Sequence, residues 1–224
     1  VGLPINSLYG WVAEGLFQSQ DDIDKHAAQN GMGGSVAPGD IKYKDVNDDK
    51  VIDGDDRQPL GSYFPEVTYG VSLSARYKGF DATLFLQGAG GVKSFVSGRI
   101  LGSLYDKNGQ PTSIWLDRWT PDNPDASFPR VWNSNSQNDP SLTPSSFWVR
   151  NASYLRLKNV QVGYTVTSRM LSNAGIGLRV FWTAKDILTF TNFYKWVDPE
   201  APLGGNSYTY PMVKINSIGV NLTF

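Results

Sequence analysis

The 224-residue sequence predicts an all-β fold: an antiparallel transmembrane β-barrel segment of about six strands joined by alternately long and short connections. Three observations carry this. Apolar residues recur with period two and hardly ever with the helical period. The connections alternate strictly in length. The face opposite the apolar one carries small neutral groups rather than Lys and Glu.

The opening stretch "LYGWVAEGLFQS" alternates only loosely and is read as a first strand. In "YGVSLSARY", 69–77, Tyr69, Val71, Leu73, Ala75 and Tyr77 share one face, and Gly70, Ser72, Ser74 and Arg76 the other. Lys78-Gly79 follows, then "FDATLFLQG", 80–88, with Phe80, Ala82, Leu84 and Leu86 in phase. A two-residue turn sets Tyr77 opposite Phe80, aromatic against aromatic, so register and turn agree on a hairpin. In "NVQVGYTV", 159–166, Val160, Val162, Tyr164 and Val166 align, whereas Leu155 and Leu157 just before them have the opposite parity. A bulge or a change of environment between 157 and 160 accounts for the switch. "IGLRVFWTA", 176–184, aligns Ile176, Leu178, Val180, Trp182 and Ala184. A last strand begins near 212 and closes with Ile218, Val220, Leu222 and Phe224 on one face.

Between strands the connections run long (about 19–68), short (78–79), long (89–150), medium-short (167–175) and long (191–211). A membrane barrel has tight turns on one side and large loops on the other, and its strands have these lengths. The opposite face carries Ser72, Ser74, Thr83, Gln87, Gln161, Gly163, Thr165, Asn221 and Thr223, groups suited to a water-filled lumen. Tyr69, Tyr77, Phe80, Tyr164 and Phe224 fall near strand ends on the apolar face, as an interfacial girdle requires. Because about eight strands is the fewest that close such a barrel, the chain is expected to be part of something larger. A soluble β-sandwich or jelly roll, with the aromatics as its core, is the competing reading.

Composition narrows function. Charged residues make up 18% with a net charge of −1, so no electrostatic footprint for nucleic acid exists. There is no cysteine, hence no disulfide framework and no thiolate chemistry. No apolar run reaches the roughly 18 residues of a spanning helix, and the first residues do not form a signal peptide.

The blocks from Pro38 to Gly88, "RWTPDNPDASFPR", "SSFWVRNASYLRLKNVQVGYTV" and "GVNLTF" occur in one order. Together they resemble the C-terminal barrel portion of SusC/RagA-type TonB-linked outer-membrane proteins, from about residue 38 to 224. The resemblance implies a barrel of about 22 strands with an N-terminal plug. It further implies import of glycans or peptides, a SusD-like surface lipoprotein as cap, and TonB acting through an N-terminal region this chain lacks. It implies a bacterial outer-membrane location with a periplasmic C-terminus at Phe224. Loops about 19–68, 89–150 and 191–211 are then extracellular, and 78–79 and 167–175 are periplasmic turns. The whole of 1–224 is thus expected to be one barrel segment with its loops, in contact with outer-membrane lipid. The rival functions are a soluble Ca²⁺-dependent carbohydrate-binding β-module and a glycosidase.

"DVNDDKVIDGDD", 45–56, is the one stretch with ligand chemistry. Asp45, Asn47 and Asp49 occupy positions 1, 3 and 5 of an EF-hand-like loop, the Val51 carbonyl position 7, Asp53 position 9 and Asp56 position 12. Alternate spacing turns successive oxygens toward one hard cation, so a structural Ca²⁺ is expected, with Ile52 packing as an anchor. Two departures weaken the match: Lys50 stands where Gly makes the sharp turn, and related sequences often have Gly at positions 48 and 50. A solvated acidic turn without metal is the alternative.

No catalytic residues are identified. His26 is the only histidine and is read as solvated, which nearly excludes His-based triads. "GAGGV", 88–92, is too short for a phosphate loop. Trp115, Trp119, Trp132 and Trp148 are read as the core of the 89–150 loop in preference to sugar-stacking platforms. Finally, Gly219, Leu222 and Phe224 resemble the signal that the outer-membrane assembly machinery recognises at a closing strand. Phe224 is accordingly read as a true C-terminus.

Overall fold

The computed structural model describes residues 2–4, 7–32, 34–95, 113–132, 136–140, 142–195, 197–201 and 212–224. Residues 196 and 202–211 of the expected 191–211 loop, and 96–112, 133–135 and 141 of the 89–150 loop, lie outside the described residues. The strands in chain order are β1 (Ser7–Gly10), β2 (Ala13–Leu16), β3 (Ile41–Tyr43), β4 (Gln58–Ser62), β5 (Val67–Tyr77) and β6 (Phe80–Gly90). They continue with β7 (Lys93–Phe95), β8 (Val149–Asn151), β9 (Tyr154–Val166), β10 (Gly177–Thr191) and β11 (Ile215–Thr223). Two five-residue helices, α1 (Gln20–Asp24) and α2 (Arg169–Asn173), are the α-helices among the described residues. No described helix is long and apolar enough to cross a membrane.

The chain divides into two compact units. One comprises Pro65–Val92, Ala152–Pro199 and Tyr210–Phe224 and holds a five-stranded antiparallel sheet of order β11-β10-β9-β6-β5. Its β5–β6 hairpin, at one edge, has the expected register, with Tyr77 opposite Phe80 and Leu73 opposite Leu84. Lys78 and Gly79 both take positive φ, 46° and 87°, the turn whose twist matches two antiparallel strands.

The parity switch in β9 is a bulge. Asn159 faces Phe85 while Leu157 faces Leu86, so Lys158 is the extra residue, and both leucines return to the apolar face. β10 answers with two unpaired residues, Asp186 and Ile187, against the single Lys158 of β9, and Asp186 takes φ 53°. The Lys158 and Asp186 charges, 3.5 Å apart, meet where the two irregularities abut. Leu188 and Phe190 thereby continue the apolar face begun by Val180 and Trp182.

The sheet consequently has one unbroken apolar face. Val71, Leu73, Val162, Val180, Ile218, Val220 and Leu222 are all exposed on it. The Tyr77, Phe80 and Tyr164 rings gather at the turn end, the last two 4.6 Å apart. Its two outer strands, β5 and β11, have no partner on their far side among the described residues. Water would tolerate neither so large an apolar face nor such long open edges, whereas hydrocarbon and further strands satisfy both.

The other unit comprises Val1–Phe64, Lys93–Asn151 and Glu200–Thr209, and is built from the long connections. Here the opening stretch departs from expectation. It supplies no strand to the five-stranded sheet but forms β1 and β2, which pair with β4 and β3 in separate two-stranded sheets. The reason is its weak alternation: Trp11 and Phe17, buried in this unit's core, have no regular face to share. Trp115 and Trp148 are buried beside Phe128, and Trp132 packs edge-on against Trp115 at 5.5 Å. Trp119 lies over Gly39, whose φ of 89° and absent Cβ leave room for the indole. The tryptophans therefore order the loop unit, as the core reading expected.

Candidate functional site

The acidic stretch begins where β3 ends. Backbone amides have claimed much of its oxygen. Lys50 N–H donates to Asp45 Oδ2 (2.8 Å), Asp49 N–H to Asn47 Oδ1 (3.1 Å) and Val51 N–H to Asp49 Oδ1 (2.8 Å). Such side-chain-to-backbone bonds wind the chain into tight turns. Asp48 and Lys50 sit at φ 59° and 68°, the two positions where the sequence lacks the expected glycine. Each costs on the order of 1 kcal/mol, so the loop is held in its shape against local strain.

The second half is fixed differently. Asp53 caps a single 3₁₀ turn, Gly54–Asp56, through Asp55 N–H at 2.8 Å. Asp56 is fully buried and accepts from Asp53 N–H and Val46 N–H, at 2.8 and 2.7 Å. Asp56 thus closes the loop as a capping carboxylate, and its oxygens are engaged by backbone. Ile52 is buried as expected and bonds Ala28 O, while Ala28 N–H bonds Lys50 O. The Trp11 indole donates to Asp53 O at 2.6 Å, with the Arg57 guanidinium stacked 4.1 Å from its ring. Among the described residues no three carboxylate or imidazole groups converge as a ready-made metal cage. One oxygen stands apart: Asp45 Oδ1 is buried with no hydrogen-bond partner.

His26 departs from expectation. It is half-buried, its Nε2 lies 2.7 Å from Tyr43 O, and its ring meets Phe17 edge-on at 5.3 Å. Sequence polarity around position 26 hid this, because Phe17 and Tyr43 reach it from distant segments.

Near it lies a polar core that the sequence did not announce. Asp40, almost wholly buried, receives Arg130 Nε and Nη2 at 2.6 and 3.0 Å and Asn138 Nδ2 at 2.7 Å. Asn138 Oδ1 in turn accepts Ile41 N–H, and Gln29 bridges Ile41 O and Gln137 Oε1. Tyr43 O–H donates to Gln137 O at 2.8 Å, and burial pushes that hydroxyl well above its ordinary pKa. At the surface of the same unit, the Lys42 ammonium at 2.9 Å holds the Asp22 carboxyl below the usual range.

On the sheet unit the polar face is the wall that matters. At the turn end an open hollow of about 600 Å³ is lined by Arg76, Asp81, Thr83, Gln161, Thr165 and Arg179 among others. Arg179 crosses the intervening strand to grip Asp81 through Nε and Nη2, at 2.9 and 2.5 Å. It can do so because Gly163 beneath it has no side chain: a Cβ there would come within 2.5 Å of Nη2. Parity alone puts Asp81 and Arg179 on the polar face, but their meeting depends on the strand order β6-β9-β10.

The terminal strand places Gly219 opposite Phe181, Val220 opposite Val180 and Leu222 opposite Leu178. Leu222 faces out with the apolar set, and Phe224, past the strand, is 92% exposed.

No family model matches the chain. Curated relatives do. It is 29% identical over 224 residues to TonB-dependent receptor P26 of Formosa agariphila, covering 94% of this chain and 22% of the relative. To TonB-dependent receptor SusC of Bacteroides thetaiotaomicron it is 25% identical, covering 96% of this chain and 20% of SusC. Among solved structures it resembles the RagAB peptide importer in its open-open state, with a TM-score of 0.69 and 26% identity. That match covers 100% of this chain and 23% of the other. The chain therefore spans about a fifth of the length of the curated relatives it matches.

Proposed function

With its resemblance to the C-terminal barrel portion of SusC/RagA-type TonB-linked outer-membrane proteins established over nearly its whole length, we propose that the chain forms the closing wall of an outer-membrane nutrient importer. The observation that carries this is the two-faced sheet. Its outer face is apolar without a break and its inner face is polar, so lipid and a watery lumen each meet the surface that suits them. The strand ends near residues 67, 90, 154, 191 and 215 carry the long connections and face outward. Turns 78–79 and 167–176 and the C-terminus face the periplasm. The imported solute is a glycan or a peptide, a SusD-like lipoprotein covers the outer loops, and TonB acts on the N-terminal part of the longer protein. The role is binding and passage without catalysis, as the relatives' names as receptors and importers support.

Cells lacking the protein are expected to lose uptake of one labelled oligosaccharide or oligopeptide class, as are wild-type cells whose proton gradient is collapsed. Uptake that survives in both cases would remove the importer reading. A chain that stays monomeric in solution without detergent would instead favour the carbohydrate-binding module.

The 45–56 loop takes a structural Ca²⁺ in this reading, with Asp45, Asn47, Asp49, the Val51 carbonyl and Asp53 as ligands. Asp56 serves by closing the loop from behind. Support comes from the buried, unpartnered Asp45 Oδ1 and from a backbone held at positive φ in the turn. Outside a cell, affinities of about 10⁻⁴–10⁻³ M suffice. Calorimetry is expected to show Ca²⁺ binding that Asp45→Ala abolishes, and Tb³⁺ should light up through Trp11 beside Asp53. An unaltered protein that gives neither heat nor luminescence has no such site.

Gly219, Leu222 and Phe224 act as the assembly signal. Deleting Phe224 is expected to lower the surface level of the protein several-fold while leaving the melting of what does assemble nearly unchanged. Equal surface levels of both forms would remove Phe224 from that role.

A further inference from the structure

Gly219 has a second, internal use. Phe181 is its register partner on β10, and the outer edge of its ring reaches over the glycine. A Cβ built on Gly219 would sit inside van der Waals contact of three ring carbons, 2.8 Å from Cε1 and 3.0 Å from Cε2. The Arg179 guanidinium stacks 5.0 Å from the same ring, lies over Gly163, and ends on Asp81. Asp81, Gly163, Arg179 with Phe181, and Gly219 stand on β6, β9, β10 and β11. One continuous strap of flat side chains therefore crosses four strands on the polar face, and it ends on the closing strand.

Bare glycines decide where the flat groups can lie. A one-residue slip of β11 would bring Ile218 or Val220 beneath Phe181 and turn every apolar residue of the strand inward. Gly219 is the one position of Ile218–Val220 that admits the ring. The apolar face repeats the device once: Tyr69 lies over Gly88 and its hydroxyl donates to Tyr154 O at 3.1 Å.

We propose that this strap is a register lock for the closing strand, and that Gly219, besides its part in the assembly signal, sets the register of that strand through its fit to Phe181 within the chain. The inference rests on the barrel fold and is independent of what is transported.

The test uses the full-length protein refolded from urea into phosphatidylcholine vesicles with no assembly factor present. Folded yield is read from the mobility difference between heated and unheated gel samples. Gly219→Ala is expected to lower the yield about tenfold, the scale of a forced overpacking. Adding Phe181→Ala to it should restore the yield to that of Phe181→Ala alone. Two results would overturn the lock. In one, Gly219→Ala refolds like the unaltered protein in vesicles yet assembles poorly in cells, which assigns the glycine to outside recognition. In the other, the double variant folds no better than Gly219→Ala.

Discussion

Replacing Asp40 with alanine is expected to destabilise the loop-built unit by about 3 kcal/mol. Asp40 is the point where Arg130, Asn138, Gln137 and the Ala37 amide meet, at donor distances of 2.6 to 3.4 Å. Removing the carboxylate leaves a guanidinium and a buried amide without their acceptor, and unmade bonds of this kind cost more than made ones contribute. The value sits at the low end of the range for broken buried pairs because a third of the Arg130 side chain remains exposed, whereas Asp40 is 1% exposed. Asp40→Asn keeps an acceptor and should fall between. Calorimetric melting and limited proteolysis of residues 1–64 and 93–151 would register the loss. An unchanged transition in the alanine variant would mean that the aromatic core alone holds the unit.

A pair of neighbouring substitutions separates the two faces of the sheet. Leu73→Arg, halfway along β5 on the apolar face, is expected to cost about 2–4 kcal/mol, the cost of a guanidinium at the membrane midplane. Ser72→Arg, one residue earlier, points to the polar face and should cost close to nothing. Urea unfolding from phospholipid vesicles, followed by tryptophan fluorescence, measures both. Equal costs would mean that the faces do not divide lipid from lumen.

These two experiments also mark how far the sequence could be read. The hairpin at 77–80, the parity switch at Lys158 and the outward face of the last strand were legible, because each depends on neighbours within a few residues. The irregularity in β10 was hidden, since Leu188 and Phe190 keep the parity of Val180, Trp182 and Ala184 and nothing local marks Asp186 and Ile187 as unpaired. The acidic loop was legible in its spacing, and in the positive φ its missing glycines demanded. That Asp56 would turn inward as a cap was not, because the Val46 amide it binds lies ten residues away. His26 and the opening stretch were misjudged for the same reason: their partners come from other segments.

By itself, then, the sequence determined the strands, their two faces, the long and short connections, and the resemblance that follows from them. These are matters of period and local turn chemistry, written in consecutive residues. Only the tertiary structure decided that the long connections build a unit around Asp40 and Trp148, and that Arg179 would cross Gly163 to reach Asp81. Those contacts join residues 90 and 98 positions apart. Strand order and loop closure choose such partners, and no local pattern encodes either.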